Sequence, residues 1–329
     1  MYILSYFGLF LGLIVLTVLL TWHGILDIFN LLLTSGWNLL LLPFAWVPCL
    51  ITATFSWRFL FPGSRVPSFL HLCLANWMGR AVNTLLPVAT IGGEIAKARL
   101  ITLWGSSGVD ASASAVVDKT VQAIAVIPWG LIGIILMVCL ASDNSIVIPI
   151  LTGFLLLSIG IGGFILVQHA GMFAKLTGLV EKFISPDNLA KMSNNAKEVD
   201  RLVIDIYNNR HQFARSVLWK TVSLILETAE AWLACYFLGH SITLVEAMMI
   251  RSLTSTLNNI AFFIPNGYGI QEGGYIMAGS LVGLTPEFSL ALSLATRIRE
   301  LCIDLPGVLT WQHLESKYYL QKKQLVSEN

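Results

Sequence analysis

A proline, an acid and a base recur in this chain at a single offset. Pro87 meets Pro265, Glu94 meets Glu272, Gly105 meets Gly283, Lys119 meets Arg297 and Pro128 meets Pro306, each 178 residues on and without a gap. Asn83-Thr84-Leu85-Leu86-Pro87 with Gly92-Gly93-Glu94 thus returns as Phe262-Phe263-Ile264-Pro265 with Gln271-Glu272-Gly273-Gly274. The residues between are mostly apolar: 56% of the chain is hydrophobic and 12% charged, where a soluble domain carries about 25% charged residues. Lipid offers the backbone no hydrogen bonds, so a greasy chain with a duplicated, Pro- and Gly-broken unit must be helical. The expected fold is an all-α polytopic membrane protein forming one integral domain over residues 1–329. Its repeat units are expected near 39–140 and 217–318.

About 20 apolar residues cross the hydrocarbon core as a helix. Six segments qualify: 3–21, 39–57 (bent at Pro43 and Pro48), 115–140, 146–167, 217–238 and 287–311. The apolar run at 3–21 lacks a small-residue cleavage site after it and reads as a first span, not a removed signal. Residues 67–104 and 243–282 are too polar and too broken to be simple spans. Each has room for two half-helices around a break, at 87–93 and 265–274, which reads as a re-entrant hairpin; amphipathic surface helices are the alternative. The break residues are Pro87, Gly92, Gly93, Pro265 and Gly269.

Lys and Arg set the sides. They gather after the second span, in the linker 168–216 and at the C-terminal tail, which fall on one face if there are six spans. That face reads as cytoplasmic, with both termini inside, and the linker as a solvated helix. Three spans separate the hairpins, so the repeats are inverted and the hairpins open to opposite sides. Trp22 and Trp37 at the outer ends, with Trp57 and Trp311 at the inner, suit an interfacial aromatic belt. The net charge of +1 argues against nucleic acid, which needs a concentrated basic face.

Ionisable residues within spans are costly and must face protein or water with a partner. Glu94 lies 25 residues before Lys119, and Glu272 lies 25 before Arg297, which predicts two symmetric acid–base pairs. These could be structural locks or pairs that open to a charged headgroup. Arg297, Glu300 and Asp304 share one helical face, as do Glu227 and Glu230, so Glu227 and Glu230 are expected against Arg297 and Arg299. Asp118 joins this supporting network. After each break a half-helix is expected to start, near Glu94 and near Glu272. Its N-terminus would suit an anion unless those acids satisfy it themselves. Arg80 and Asn83 add a cation and an amide to the first hairpin, and Gln271 an amide to the second. The five Cys read as small core hydrophobes. No His/Cys/Asp cluster has metal-ligand spacing and no nucleotide-binding loop occurs, so no catalytic residue, metal or cofactor is expected.

At these residues the chain resembles the flippase-like transmembrane domain of lysylphosphatidylglycerol synthases. Within that superfamily it is most similar to the hopanoid-biosynthesis-associated membrane proteins. The resemblance is carried by Val82-Asn83-Thr84-Leu85-Leu86-Pro87-Val88, Gly92-Gly93-Glu94, Ala98-Arg99-Leu100, Val116-Val117-Asp118, Gly269-Ile270-Gln271-Glu272-Gly273-Gly274, Arg299-Glu300-Leu301, Leu305-Pro306-Gly307 and Trp311-Gln312. It implies a bacterial inner-membrane protein associated with lipid translocation. The soluble aminoacyl-transfer domain of the synthases has no counterpart before residue 329, so lipid aminoacylation is not implied. The expected ligand is the headgroup of a phospholipid, polyprenyl-phosphate or hopanoid-type lipid, bound by Arg80, Asn83, Glu94, Gln271, Glu272, Arg297 and Glu300. A second copy of the chain or lipid-biosynthesis enzymes are the partners considered. The competing functions are an accessory scaffold for a lipid-modifying complex and an intramembrane transferase.

Overall fold

The computed structural model describes residues 2–61, 66–86, 91–140, 147–172, 186–260 and 264–327, and these form helices and turns with no strand among them. Pro87 lies outside the described residues. Helix α1 (Tyr2–Trp22) is followed by α2 (Ile25–Ser35), a 3-10 turn at Gly36–Leu41 and α3 (Leu42–Arg58). The first hairpin is α4 (Phe69–Leu85) and α5 (Gly92–Leu103), which runs into the long α6 (Gly108–Leu140). Then come α7 (Val147–His169), α8 (Pro186–Asn208), α9 (Arg210–Leu226) and α10 (Thr228–Phe237). The second hairpin is α11 (Leu244–Ile260), a 3-10 turn at Pro265–Gly267 and α12 (Ile270–Ser280), which runs into α13 (Pro286–Ser327).

The 178-residue register reappears in the element boundaries. Helices α5 and α12 begin at residues 92 and 270, and α6 and α13 at 108 and 286. Gly105 and Gly283 turn the chain between them at φ 95° and 78°, a left-handed backbone that a Cβ would strain. Pro128 and Pro306 both lie inside the long helices. Side-chain caps fix the starts of several helices. Ser68 Oγ accepts from His71 N at the start of α4. Thr243 and Glu246 exchange hydrogen bonds at the start of α11, the reciprocal cap that satisfies two orphan donors.

Packing follows the same exchange of halves. Helix α4 packs on α5, α5 on α6 and α3 on α4, while α11 packs on α12, α12 on α13 and α10 on α11. Across the halves α6 crosses α11, α13 crosses α4, and α3 lies against α9. Both crossings are close because a glycine sits at each. A Cβ at Gly133 would come 2.4 Å from Ser252 Oγ, and one at Gly307 would come 2.7 Å from the Ala81 Cβ. Tryptophans pin the same crossings, Trp129 donating to Ser255 Oγ at 2.8 Å and Trp77 to the Ile303 carbonyl at 2.9 Å.

The outer surface is apolar. Large hydrophobics stand exposed along α1, α2 and α7, among them Phe10, Leu26, Phe29, Leu155, Leu156, Ile159 and Leu166. Among the described residues Ile25–Arg58, Gly108–Leu140 and Leu151–His169 are each long and apolar enough to cross a membrane. Helix α1 adds 21 residues without a charge. This is an all-α polytopic membrane protein.

Several boundaries differ from expectation. The segment expected at 39–57 is the second part of one apolar stretch from Ile25 to Arg58, in which α2 ends at Ser35, Gly36 turns the chain at φ 54° and a 3-10 turn leads into α3. The segment expected at 217–238 is divided at Glu227 into α9 and α10. The final helix runs on past 311 to Ser327. The breaks end earlier than residues 93 and 274, since Gly92 and Gly93 lie in the first turn of α5 and Gly273 and Gly274 inside α12. The charged linker is not simply a solvated helix: α8 buries Val199 and Val203 in the cluster around Trp57 while Lys197 and Arg201 stay exposed. Trp57 is itself fully buried and donates to Ser114 Oγ, so it is no part of an aromatic belt, whereas Trp22 and Trp37 are 81% and 84% exposed. Cys139 and Cys302 face outward and are not core residues.

Candidate functional site

A polar cavity of about 310 Å³ lies where the two halves meet. Helices α3, α4, α5 and α6 bound it from one half, and α9, α11, α12 and α13 from the other. Its apolar wall is Trp46, Cys49, Leu50 and Ala53 on α3. Leu224 and Ile264 add to it, and most of the remaining lining is polar: Arg80, Asn83, Glu94, Lys97, Asp118, Lys119 and Gln122 from the first half, Lys220, Glu227, Arg251, Asn258, Gln271 and Glu300 from the second.

The first hairpin is held tight by a glycine contact. A Cβ at Gly93 would lie 2.0 Å from the Gly79 carbonyl oxygen, so only glycine lets α5 start this close to α4. That approach allows Asn83 Oδ1 to accept from Gly93 N at 2.7 Å. In the second hairpin Gly269 takes φ 79° and Glu272 Oε2 accepts from its N–H at 2.7 Å. A side chain thus accepts from the backbone at each half-helix N-terminus, but only at the second is it the expected acid: Asn83 takes the first and Glu94 turns to Lys97.

The charges form two chains of contacts. In the first, Lys97 Nζ lies 2.9 Å from Glu94 and 2.6 Å from Asp118, and Lys220 lies 2.7 Å from the other oxygen of Asp118. Lys97 also stands over the Trp57 ring at 4.6 Å. In the second, Arg297 lies 3.2 Å from Glu272 and 3.2 Å from Glu300, and its Nη1 donates to the Asn266 carbonyl at 2.9 Å. Arg299 forms a forked pair with Glu230 at 2.7 and 3.1 Å. Arg80 stacks on Trp46 at 4.2 Å and reaches Asp304 at 3.5 Å and Glu300 at 3.8 Å, looser than its neighbours. Arg251 pairs with Glu227 at 2.7 Å and donates to Tyr275 Oη at 3.3 Å.

Of the residues singled out by sequence, Arg80, Asn83, Glu94, Gln271, Glu300, Asp118, Lys119 and Glu227 all line the cavity. Glu272, Glu230, Arg299 and Asp304 are fully buried behind its wall, and Arg297 links that layer to Glu300. The Glu272–Arg297 pair forms as spaced. The matching Glu94–Lys119 pair does not, because Lys97, one turn along α5 from Glu94, takes the acid first. Glu227 pairs with Arg251, not with Arg297 or Arg299. Lys97, Lys220 and Arg251 are the charged cavity residues that sequence reasoning missed. Lys220 lies within the segment 217–238, where the rule that flagged Glu227 and Glu230 applies equally, and Lys97 was marked by its i, i+3 spacing from Glu94.

No curated protein and no solved structure matches the chain. The family pattern described as the lysylphosphatidylglycerol synthase TM region matches residues 9–305, a stretch that takes in both hairpins and every residue lining the cavity. The chain therefore belongs to the family of lysylphosphatidylglycerol synthase transmembrane regions.

Proposed function

We propose that this protein moves the polar headgroup of an amphiphile across a bacterial inner membrane through the cavity between its two halves. The cargo class is a phospholipid, polyprenyl-phosphate or hopanoid-type lipid. The hairpins act as re-entrant, inverted repeats among about six spans, with both termini cytoplasmic, and the protein works as a carrier, not a catalyst. One observation carries the reading: a charged cavity of about 310 Å³ bounded by both broken hairpins. That volume lies at the small end of the ~300–1,000 Å³ typical of ligand sites. It suits a headgroup without its acyl chains, which would stay in lipid along the apolar outer surface. A headgroup leaving water must exchange hydration for fixed donors, and Arg80, Asn83, Lys119 and Gln271 supply them, with Glu94 and Glu300 as acceptors. Glu272 and Arg297 hold the second break in place.

The buried layer of Glu230, Arg299, Glu272 and Arg297 favours a second reading, an accessory scaffold in which the charges only lock helices together. Proteoliposomes carrying fluorescent phospholipids separate the two. Under the transport reading the wild type accelerates exchange of lipid between leaflets, and Lys119→Gln, which lines the cavity and breaks no ion pair among the described residues, slows it while the thermal transition is retained. An absence of exchange across anionic, zwitterionic and polyprenyl-phosphate lipids, with and without a proton gradient, leaves the scaffold.

A further inference from the structure

The α4–α13 crossing and the α6–α11 crossing are matched by the 178-residue register, yet they differ in charge. At the first, Arg80 on α4 faces Glu300 and Asp304 on α13. The register counterparts at the second are neutral: Asn258 on α11, with Gln122 and Val126 on α6. A glycine contact and a tryptophan hydrogen bond close both crossings, so ionisable side chains are not needed to hold the helices together here. Asp304 is the least settled of the charged set. It is fully buried, but neither of its carboxylate oxygens accepts a hydrogen bond among the described residues. Arg80 Nε stops 3.5 Å away and makes no hydrogen bond either. A settled charge pair closes to about 2.7–2.9 Å, as Arg299 does on Glu230 at 2.7 Å. Thr84 also acts on Asp304, but its hydroxyl donates to the Arg80 carbonyl. The other charges acting on Asp304 are Glu300 and Arg299 of its own helix, and Arg299 is held by Glu230 of α10. Helix α3 brings the Trp46 ring over Arg80 and Arg299; its one charged residue, Arg58, is exposed, as is Asp27 on α2.

We infer that Asp304 is a proton-binding site, and that a proton and Arg80 occupy it in exchange. A proton added to a carboxylate oxygen of Asp304 neutralises the group and gives it an O–H donor. The attraction that draws Arg80 away from the cavity is then gone. Arg80 remains a guanidinium throughout and turns, on its Trp46 stack, toward Glu300 and the cavity that all three line. When Arg80 returns to Asp304, the proton leaves for cavity water. Glu300 lies one turn before Asp304 on the same face of α13 and lines the cavity. It places a carboxylate between that water and the buried site. A metal ion would need several oxygen ligands, and among the described residues no three His, Cys, Asp or Glu side chains converge. Proton binding at Asp304 needs no cargo, so it stands apart from translocation. What it adds is a way for an ion to move a cation of the cavity.

Infrared spectroscopy of the purified full chain, with isotope-labelled aspartate incorporated, reads the site directly. A titration from acid to alkaline pH follows the carbonyl stretch of each protonated carboxyl. Among the titrating aspartate bands, one disappears in Asp304→Asn and moves to the glutamate-labelled set in Asp304→Glu. In Arg80→Gln the competing cation is gone, and Asp304 holds its proton about tenfold more tightly, the smaller end of what an opposite charge at this range contributes. Arg80→Lys returns the midpoint toward that of the wild type. The absence of any titrating band that depends on residue 304 would overturn the inference. So would the same midpoint in the wild type and Arg80→Gln, because the proton and Arg80 would then not compete. Should Asp304→Asn fail to fold, Asp304→Glu and Arg80→Gln still decide both points. A titrating Asp304 in a protein that exchanges no lipid keeps the proton site and defeats transport alone. Leaflet exchange without a titrating Asp304 does the reverse.

Discussion

Glu230→Gln is the sharpest perturbation of the buried charge layer. Both partners of the Glu230–Arg299 pair are about 1% exposed or less, and the guanidinium donates to the two carboxylate oxygens at 2.7 and 3.1 Å. The nearest alternative acceptor for Arg299 is Glu300 at 3.8 Å, which already serves Arg297. Hydrogen bonds to charged groups contribute about 1.5–3 kcal/mol each, and stranding one charge of a buried pair costs about 3–5 kcal/mol. At roughly 2–4 °C per kcal/mol for a large domain, the apparent Tm in detergent should fall by about 6–20 °C. Arg299→Met, which strands Glu230, should cost a similar amount. The double variant Glu230→Leu/Arg299→Met strands nothing and should recover most of the loss, because apolar replacement of a whole buried pair is often neutral. A double-mutant cycle on thermal unfolding, closed with Glu230→Leu as the matching single variant, measures this directly. Additive effects, with coupling below about 0.5 kcal/mol, would refute the claim that the pair is energetically joined.

Further expectations follow from the same contacts. A cycle on Glu94 and Lys97 should show stronger coupling than one on Glu94 and Lys119, because only the first two are in contact, reversing what the 178-residue register alone suggests. Gly93→Ala should destabilise by about 1–3 kcal/mol through overpacking, since its Cβ would meet the Gly79 carbonyl oxygen at 2.0 Å and the Asn83 side chain at 2.5 Å. Gly273→Ala, with nothing within 4 Å of its added Cβ, should be neutral or stabilise α12 by about 0.5–1 kcal/mol; thermal melts of both variants decide. On a background lacking all five cysteines, a cysteine at Trp104 should be modified from the cytoplasmic side and one at Thr243 from the outside. Modification of both from one side would contradict the inverted arrangement.

Hydropathy and helix breakers made much of the architecture readable. The uncharged run at α1 and the apolar stretches of α6 and α7 announce their helices. The prolines and glycines of 87–93 and 265–274 marked where two hairpins turn, although the breaks are shorter than those runs, since α5 begins at Gly92 and α12 at Ile270. The cavity residues Arg80, Asn83, Gln271 and Glu300 were legible for a single reason: polar groups in an apolar segment must face protein or water. Pairing was harder. Glu272 and Arg297 meet because α12 and α13 pack directly and nothing nearer competes. Glu94 has Lys97 on its own helix, and a partner one turn away outcompetes one on the next helix. Arg251 reaches Glu227 only because α11 packs on α10, a tertiary contact that no spacing encodes. Trp57 failed as an interfacial anchor for a similar reason, since α8 closes over it.

Headgroup entry into the cavity is tested most directly by a phospholipid bearing a photoreactive diazirine beside its phosphate, cross-linked to the protein in a bilayer and mapped by mass spectrometry. Adducts should concentrate on peptides of α3, α4 and α6 that carry Trp46, Asn83 and Lys119, and unlabelled phospholipid should compete them away. Adducts confined to the lipid-facing surfaces of α1 and α7, with none on the cavity wall, would contradict headgroup entry.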